Sequence, residues 1–216
     1  MKRLAAFDVD GTLVHGTGGK EYIKFLHEKE FIPYDDYRKA MESINRFIKG
    51  EMPYMNMVKA LYGVYFSNIG KFDDKRDELA DEFCKKSMII LPYAKDLVSL
   101  FDEKIVISGN ADEIVKYTAK KLGFVDNKIF AASLNGNDFS KEGEKKKVLK
   151  EYADIHSIDL NYSFAFGDTE HDIELFEEVG FPVPINPTNE LRKYAEEKGW
   201  TCTGNNVVEK VRKMIK

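Results

Sequence analysis

Cysteine is almost missing from this chain. The 216 residues hold two, Cys84 and Cys202, far apart and in no CxxC pair. That excludes a disulfide framework and a thiolate metal site, and it fits a reducing, cytoplasmic setting. Cys84 reads as a small apolar filler. Long hydrophobic runs are also lacking. The first, Leu4-Ala5-Ala6-Phe7, follows Lys2-Arg3 but is cut off by Asp8. It is too short for a signal peptide, and no other stretch approaches the length of a membrane span. Nor is there an excess of positive charge. The net charge is -4 with both signs interspersed, so neither nucleic acid nor a membrane surface is expected as a partner. No internal repeat or low-complexity linker appears. Hydrophobic residues at 43% and charged ones at 32% describe a globular chain, long enough for a core domain and a small second one.

Local patterns divide the chain in three. Arg3 to Phe7 predicts a short buried strand, and Gly16, Gly18 and Gly19 give a flexible exit from it. From about Lys20 to Met88 the apolar spacing is helical throughout: Tyr22, Phe25 and Leu26; then Tyr37, Met41, Ile44 and Ile48, with Gly50 as the residue after the helix; then Tyr54 to Tyr65; then Leu79 and Phe83 behind an Asp74 cap. Beyond Pro92, strands and helices alternate. Strands are predicted at Lys104–Ile107, Ile129–Ala132, Tyr162–Phe166 and Phe181–Ile185, the last broken by prolines that suit an edge or a strand end. Helices are predicted at Tyr93–Leu100, Ala111–Leu122 with Asn110 and Glu113 as its N-cap pair, Glu142–Tyr152, Glu170–Val179, Thr188–Lys198 and Val207–Ile215. Asn135-Gly136 marks a turn, such as that of a hairpin. The alternation argues for an α/β fold with a parallel sheet covered on both faces, and the helical stretch for an insertion after its first strand.

Polar residues collect where such a sheet binds ligands. Asp8 and Asp10, Ser108, and Asp168 each follow an apolar strand directly, and strand carboxyl ends form the ligand crevice of open α/β sheets. Asp8-Val9-Asp10-Gly11 read alone is either a solvated turn or a pair of carboxylates with a hard cation or a nucleophilic task. Helical phase adds two groups. Lys145 shares the face of Val148, Leu149 and Tyr152, while Lys146 and Lys147 point away. Asp172 shares the face of Leu175, Phe176 and Val179, while Glu170, Glu174, Glu177 and Glu178 point largely to water. An inward lysine and an inward aspartate each need a partner, and one acidic cluster supplies both.

Asp8-Val9-Asp10-Gly11-Thr12 resembles the first motif of the haloacid dehalogenase superfamily of phosphohydrolases. Ile105-Val106-Ile107-Ser108 resembles its second, Lys145 its third, and Gly167-Asp168-Thr169-Glu170-His171-Asp172 its fourth. Val183-Pro184-Ile185-Asn186-Pro187, with Gly199-Trp200 after it, resembles the phosphoserine-phosphatase-like branch. The resemblance implies a Rossmann-like core over 1–15 and 90–216 and a small helical cap over 16–89. The short spacing from Ser108 to Lys145 leaves little room for a second large cap. Hinges would lie at Gly16, Gly18 and Gly19 and at Ile90-Leu91-Pro92.

The same resemblance implies a Mg2+-dependent phosphatase of a small phosphorylated metabolite. Asp8 would attack phosphorus, and Asp10 would serve as acid and then base. Mg2+ would be held by Asp8, the Asp10 carbonyl and Asp168. Asp172 would orient metal-bound water or Lys145. Ser108, the Gly109 amide and Lys145 would bind the phosphoryl oxygens, and Gly11 would let the chain turn under the metal. A phosphotransferase or phosphomutase with the same intermediate, and a silent phospho-ligand binder, are the alternatives. The cap departs from true phosphoserine phosphatases, whose cap glutamate and arginine grip the amino acid. The glutamate's place falls near Thr17, and Tyr54 to Phe66 carries Lys59 as its only charge. The Tyr/Met stripe there reads as cap core before pocket lining. His171, His27 and His156 read as surface residues; His15, beside the hinge, is open to a substrate contact.

Overall fold

Leu4, Ala5, Ala6 and Phe7 have no polar side chain to satisfy, and all four are fully buried in the computed structural model, which describes residues 2–16, 18–132 and 143–215. Strand β1 (Ala5–Phe7) lies at the centre of a five-stranded parallel sheet. The short strand β2 (Val14–His15) leads into four helices, α1 (Gly18–Glu28), α2 (Tyr34–Ile48), α3 (Tyr54–Asn68) and α4 (Arg76–Ser87), and β3 (Ile89–Ile90) follows them. The rest alternates: α5 (Ala94–Ser99), β4 (Lys104–Ala111), α6 (Asp112–Lys121), β5 (Ile129–Ala132), α7 (Glu144–His156), β6 (Phe164–Gly167), α8 (Ile173–Phe176), β7 (Phe181–Pro184), α9 (Asn189–Lys198) and α10 (Val207–Ile215). The sheet order is β5-β4-β1-β6-β7, so the proline-bearing β7 is an edge as expected.

The two-residue period of the strands sorts their side chains onto two faces. Ala5, Phe7, Val106, Phe164 and Phe166 pack against α5, α6 and α10. Leu4, Ala6, Ile105, Ile107 and Ala165 pack against α7, α8 and α9. Phe7 stacks on Phe166 at 4.6 Å, which ties β1 to β6 next to the strand ends that carry the acidic residues. Helices α1 to α4 gather a separate apolar cluster around Tyr22, Leu26, Phe72 and Phe83, joined by Ile114 of α6. Gly50 and Gly123 take left-handed φ just past α2 and α6, as their helix-ending roles require. Among the described residues no helix is long and apolar enough to cross a membrane.

Several local expectations are corrected. Asp74 does not cap α4: it lies in a 3-10 turn, Asp73–Lys75, and Lys75 precedes the helix. Asn110 and Glu113 are not an N-cap pair, because β4 runs on to Ala111 and both side chains are taken by tertiary partners. Tyr162 ends a 3-10 turn before β6. The helix expected over Glu170–Val179 is a 3-10 turn followed by the single turn of α8, and Glu170, Glu174 and Glu178 are half-buried there. Ile90, expected in a hinge with Leu91 and Pro92, lies in β3, which pairs antiparallel with β2. His27 is half-buried, stacked on Tyr37 at 4.3 Å with Nδ1 2.8 Å from the Ile32 carbonyl. His156 is half-buried as well, its ring 4.2 Å from that of Tyr152. Thr17, the Asn135-Gly136 turn and the Glu142 helix start lie outside the described residues.

Candidate active site

Three adjacent strands end at the same edge. Asp8 follows β1 and continues its ladder, its amide donating to the Phe166 carbonyl at 2.9 Å. Asp168 follows β6. Ser108 lies in β4 where its pairing with β5 shifts register, between Ser108 and Ala111. A bulge re-aims the side chains it carries. Here it falls on Ser108, Gly109 and Asn110, and the Ser108 hydroxyl accepts from the Asn110 amide at 3.3 Å.

Lys145 joins the site from the far side of the chain. Helical phase turns it inward from α7, and its Nζ donates to Asp172 Oδ1 at 2.7 Å and to Asp8 Oδ1 at 3.0 Å. All three side chains are buried, Asp172 with 1% of its surface exposed. The second oxygen of Asp172 accepts from the amides of Asp168 at 3.1 Å and Thr169 at 3.2 Å. Asp172 therefore holds Lys145 with one oxygen and the Asp168 loop with the other.

Electrostatics set the character of the site. Burial pushes the Asp8 carboxyl up to about 7 against the pull of Lys145, with Asp172 and Asp10 adding repulsion. Burial, then Asp172 and Asp8, push Asp168 up to about 8. Burial alone would lower Lys145, but the carboxylates of Asp172 and Asp8 outweigh it and hold the ammonium well above the usual lysine value. Four carboxyl groups around one ammonium leave an excess of negative charge that burial makes expensive. Oxygens of Asp8, Asp168 and Asp172 lie within 4.8 Å of one another. A hard, all-oxygen donor set with unbalanced negative charge fits a divalent cation such as Mg2+. Asp10 contributes no side-chain oxygen to this group. Its Oδ1 accepts from the Gly18 amide and its Oδ2 from Asn110 Nδ2, each at 2.9 Å. Burial raises the Asp10 carboxyl, and these two donors lower it in part.

Gly11 shapes the turn between these groups. Its φ is +72°, and a Cβ there would stand 2.0 Å from Asp168 Oδ2. Only glycine accepts both the left-handed backbone and this approach. Thr12, fully buried, donates to Asp168 Oδ1 at 3.3 Å.

The structure thus brings Asp8, Asp10, Lys145, Asp168, Asp172, Ser108 and Gly109 to one sheet edge. It also brings there two residues of the α3 stripe that the sequence read as cap core before pocket lining. Tyr62 of α3 donates from its hydroxyl to the Gly109 carbonyl. Tyr54 stacks on His171 at 3.5 Å between ring centroids, so His171 is covered where a surface residue was expected, with Nε2 3.2 Å from Glu170 Oε1. The Tyr54 phenol is pushed above its usual range by burial, and it feels Lys145, Asp8, Asp172 and Asp10. The α3 stripe is therefore divided: Met57, Val64 and Tyr65 are buried, while Tyr54 and Tyr62 meet the sheet edge. Helical spacing told which residues share a face of α3, and gave no signal of what that face meets.

A family model described as haloacid dehalogenase-like hydrolase matches residues 5–177. A histidinol-phosphatase of Neisseria meningitidis serogroup C is 24% identical over 232 residues, spanning 93% of this chain and 97% of that protein. A phosphoserine phosphatase of Mycobacterium tuberculosis is 25% identical over 215 residues, spanning 91% of this chain and 68% of that protein. Among solved structures, a protein of unknown function from Bordetella pertussis Tohama I has a TM-score of 0.74 at 20% identity, covering 95% of this chain and 99% of its own. A substrate-bound phosphoserine phosphatase has a TM-score of 0.66 at 17% identity, covering 100% and 99%. At these identities the two structures establish the shared fold.

Proposed function

Since the chain belongs to the haloacid dehalogenase-like hydrolases, we propose that it is a Mg2+-dependent phosphatase of a small phosphorylated metabolite, working through an aspartyl-phosphate on Asp8. The observation that carries this reading is the Lys145 ammonium bridging Asp8 and Asp172. It supplies positive charge beside the nucleophile, at the place where phosphoryl oxygens would gather. The relatives named histidinol-phosphatase and phosphoserine phosphatase support the phosphomonoester class.

Asp8 attacks phosphorus in line as the ester oxygen leaves, so one P–O bond forms while another breaks. Asp10 gives a proton to the leaving oxygen, then takes one from the water that opens the acyl phosphate. Lys145, the Ser108 hydroxyl and the Gly109 amide hold the equatorial oxygens. Asp8, Asp168 and the Asp10 carbonyl would hold Mg2+, with Asp172 fixing Lys145 and the Asp168 loop beside it. When bound, the metal supplies charge that offsets the anionic substrate and the carboxylates. We assign the core to 1–15 and 90–216 and the cap to 16–89, with the cap excluding bulk water, and we place the protein in the cytoplasm.

Hydrolysis of an aryl phosphate by wild type and Asp8→Asn, each with Mg2+ and with excess chelator, tests the reading. Turnover by wild type with Mg2+ only, and none by Asp8→Asn, is expected. Turnover by the variant, or full activity in chelator, would remove the nucleophile or the metal from the account.

A further inference from the structure

Asn110, expected to cap α6, lies inside β4 one residue before the position that precedes the helix. Its side-chain Oδ1 accepts from the Ala111 amide at 2.7 Å. That bond fixes the flip of the amide group, so the other end, Nδ2, must be the donor facing Asp10 Oδ2 at 2.9 Å. The opposite oxygen of Asp10 is held by the Gly18 amide at the start of α1. Asp10 is thus gripped from two sides, by a side chain of the β4 bulge and by the backbone of the first inserted helix. Among the described residues each oxygen of Asp10 accepts from one donor, which leaves a lone pair for a proton.

The fit around this grip is tight. A Cβ at Gly18 would stand 2.5 Å from Asn110 Nδ2 and 3.1 Å from Asp10 Oδ1. No side chain is tolerated at position 18 while Asn110 and Asp10 keep their places. The backbone amide of Asn110 donates separately to Ser108, so truncating the side chain leaves that bond in place.

We propose that Asn110 is a positioning residue that fixes the carboxyl group of Asp10 in the orientation from which it serves the leaving oxygen of the substrate. The proposal rests on the acid role given to Asp10 above. An unclamped Asp10 rotates about its side-chain bonds, and small misplacements of a reacting group cost large factors in rate.

The test uses two esters of nearly the same shape. Phenyl phosphate has a leaving oxygen that needs a proton, whereas para-nitrophenyl phosphate releases a stabilised anion. The quantity read is kcat/KM, which reports the step that forms the phosphorylated enzyme. Asn110→Ala is expected to lose about 10- to 100-fold on phenyl phosphate and less than about 3-fold on para-nitrophenyl phosphate, a part of the 10²- to 10⁴-fold range of general acid catalysis. Gly18→Ala is expected to show the same bias, and to cost less when Asn110 is already alanine. Equal losses on both esters, or no loss, would overturn the proposal, because a merely structural role lowers both rates alike. Asp10→Asn serves as the reference. If it shows the leaving-group bias and Asn110→Ala and Gly18→Ala do not, the proposal fails and the acid role of Asp10 stands. If Asp10→Asn shows no bias, the acid role falls and the proposal falls with it.

Discussion

Replacing Lys145 by methionine removes the one ammonium that the described structure places among Asp8, Asp168 and Asp172. Two charge-assisted hydrogen bonds go with it, at 2.7 and 3.0 Å. Such bonds contribute about 1.5–3 kcal/mol each, and breaking a buried ion pair costs about 3–5 kcal/mol, because the remaining charge is stranded. The two estimates overlap, so Lys145→Met should lose about 3–5 kcal/mol, with the methionine stem filling most of the lysine's volume. For a chain of this size that is a fall in Tm of roughly 6–20 °C, at about 2–4 °C per kcal/mol. Thermal unfolding followed by circular dichroism in chelator reads the loss. Adding Mg2+ should restore part of it, since the cation brings positive charge to the same carboxylates. Lys146→Met is the control: its ion pair with Glu178 leaves the lysine side chain 44% exposed, and exposed pairs contribute about 0–1 kcal/mol. A Lys145→Met protein as stable as wild type, or one indifferent to Mg2+, would refute the electrostatic reasoning.

Gly11→Ala should cost about 1–2 kcal/mol for its left-handed backbone. It should cost more in kcat/KM, about 100-fold, because a shift of about 1 Å at a reacting group has that effect and Asp168 must yield to the new methyl. Glu103 tests pH dependence. Burial raises its carboxyl, but the bonds from Lys128 and Tyr152 outweigh this and hold it below the usual range. Its stabilising contribution is therefore present above the unfolded-state value and lost as pH falls through the lower folded-state value. Urea unfolding at descending pH should find Glu103→Gln less stable near neutrality and flatter in its acid decline. Glu113, 3% exposed on α6, binds Arg76 of α4 at 2.8 Å and the Tyr65 hydroxyl of α3. Glu113→Ala should lose about 1–3 kcal/mol in the same assay, because it leaves the Tyr65 hydroxyl without this acceptor, while Arg76 keeps Asp73 at 3.5 Å.

What could be read from the chain followed from periodicity. The central strand was visible because Leu4 to Phe7 is apolar without a break, and Lys145 and Asp172 were visible because each shares a phase with apolar neighbours. A lysine in the phase of Val148 and Leu149 has one physical excuse, a buried partner, and the partner is Asp8, distant in sequence. The misreadings have equally local causes. A short polar side chain between a strand and a helix fits a cap as well as it fits Asn110's actual bond to Asp10. Asp74 satisfied the cap pattern, but a 3-10 turn occupies that stretch. His171 was read as a surface residue because the family's pattern gives that position no task; its cover, Tyr54, comes from another helix. Strands β2 and β3, two residues each, are too short to leave a period.

An aspartyl-phosphate route requires that Asp8 carry the phosphoryl group between the two half-reactions. Mixing the protein with Mg2+ and an aryl phosphate, quenching in acid within one turnover and mapping peptides by mass spectrometry tests it directly. One phosphoryl group is expected on the peptide that contains Asp8, gone in Asp8→Asn together with turnover. Turnover with no label on that peptide, or with the label on another residue, would contradict it.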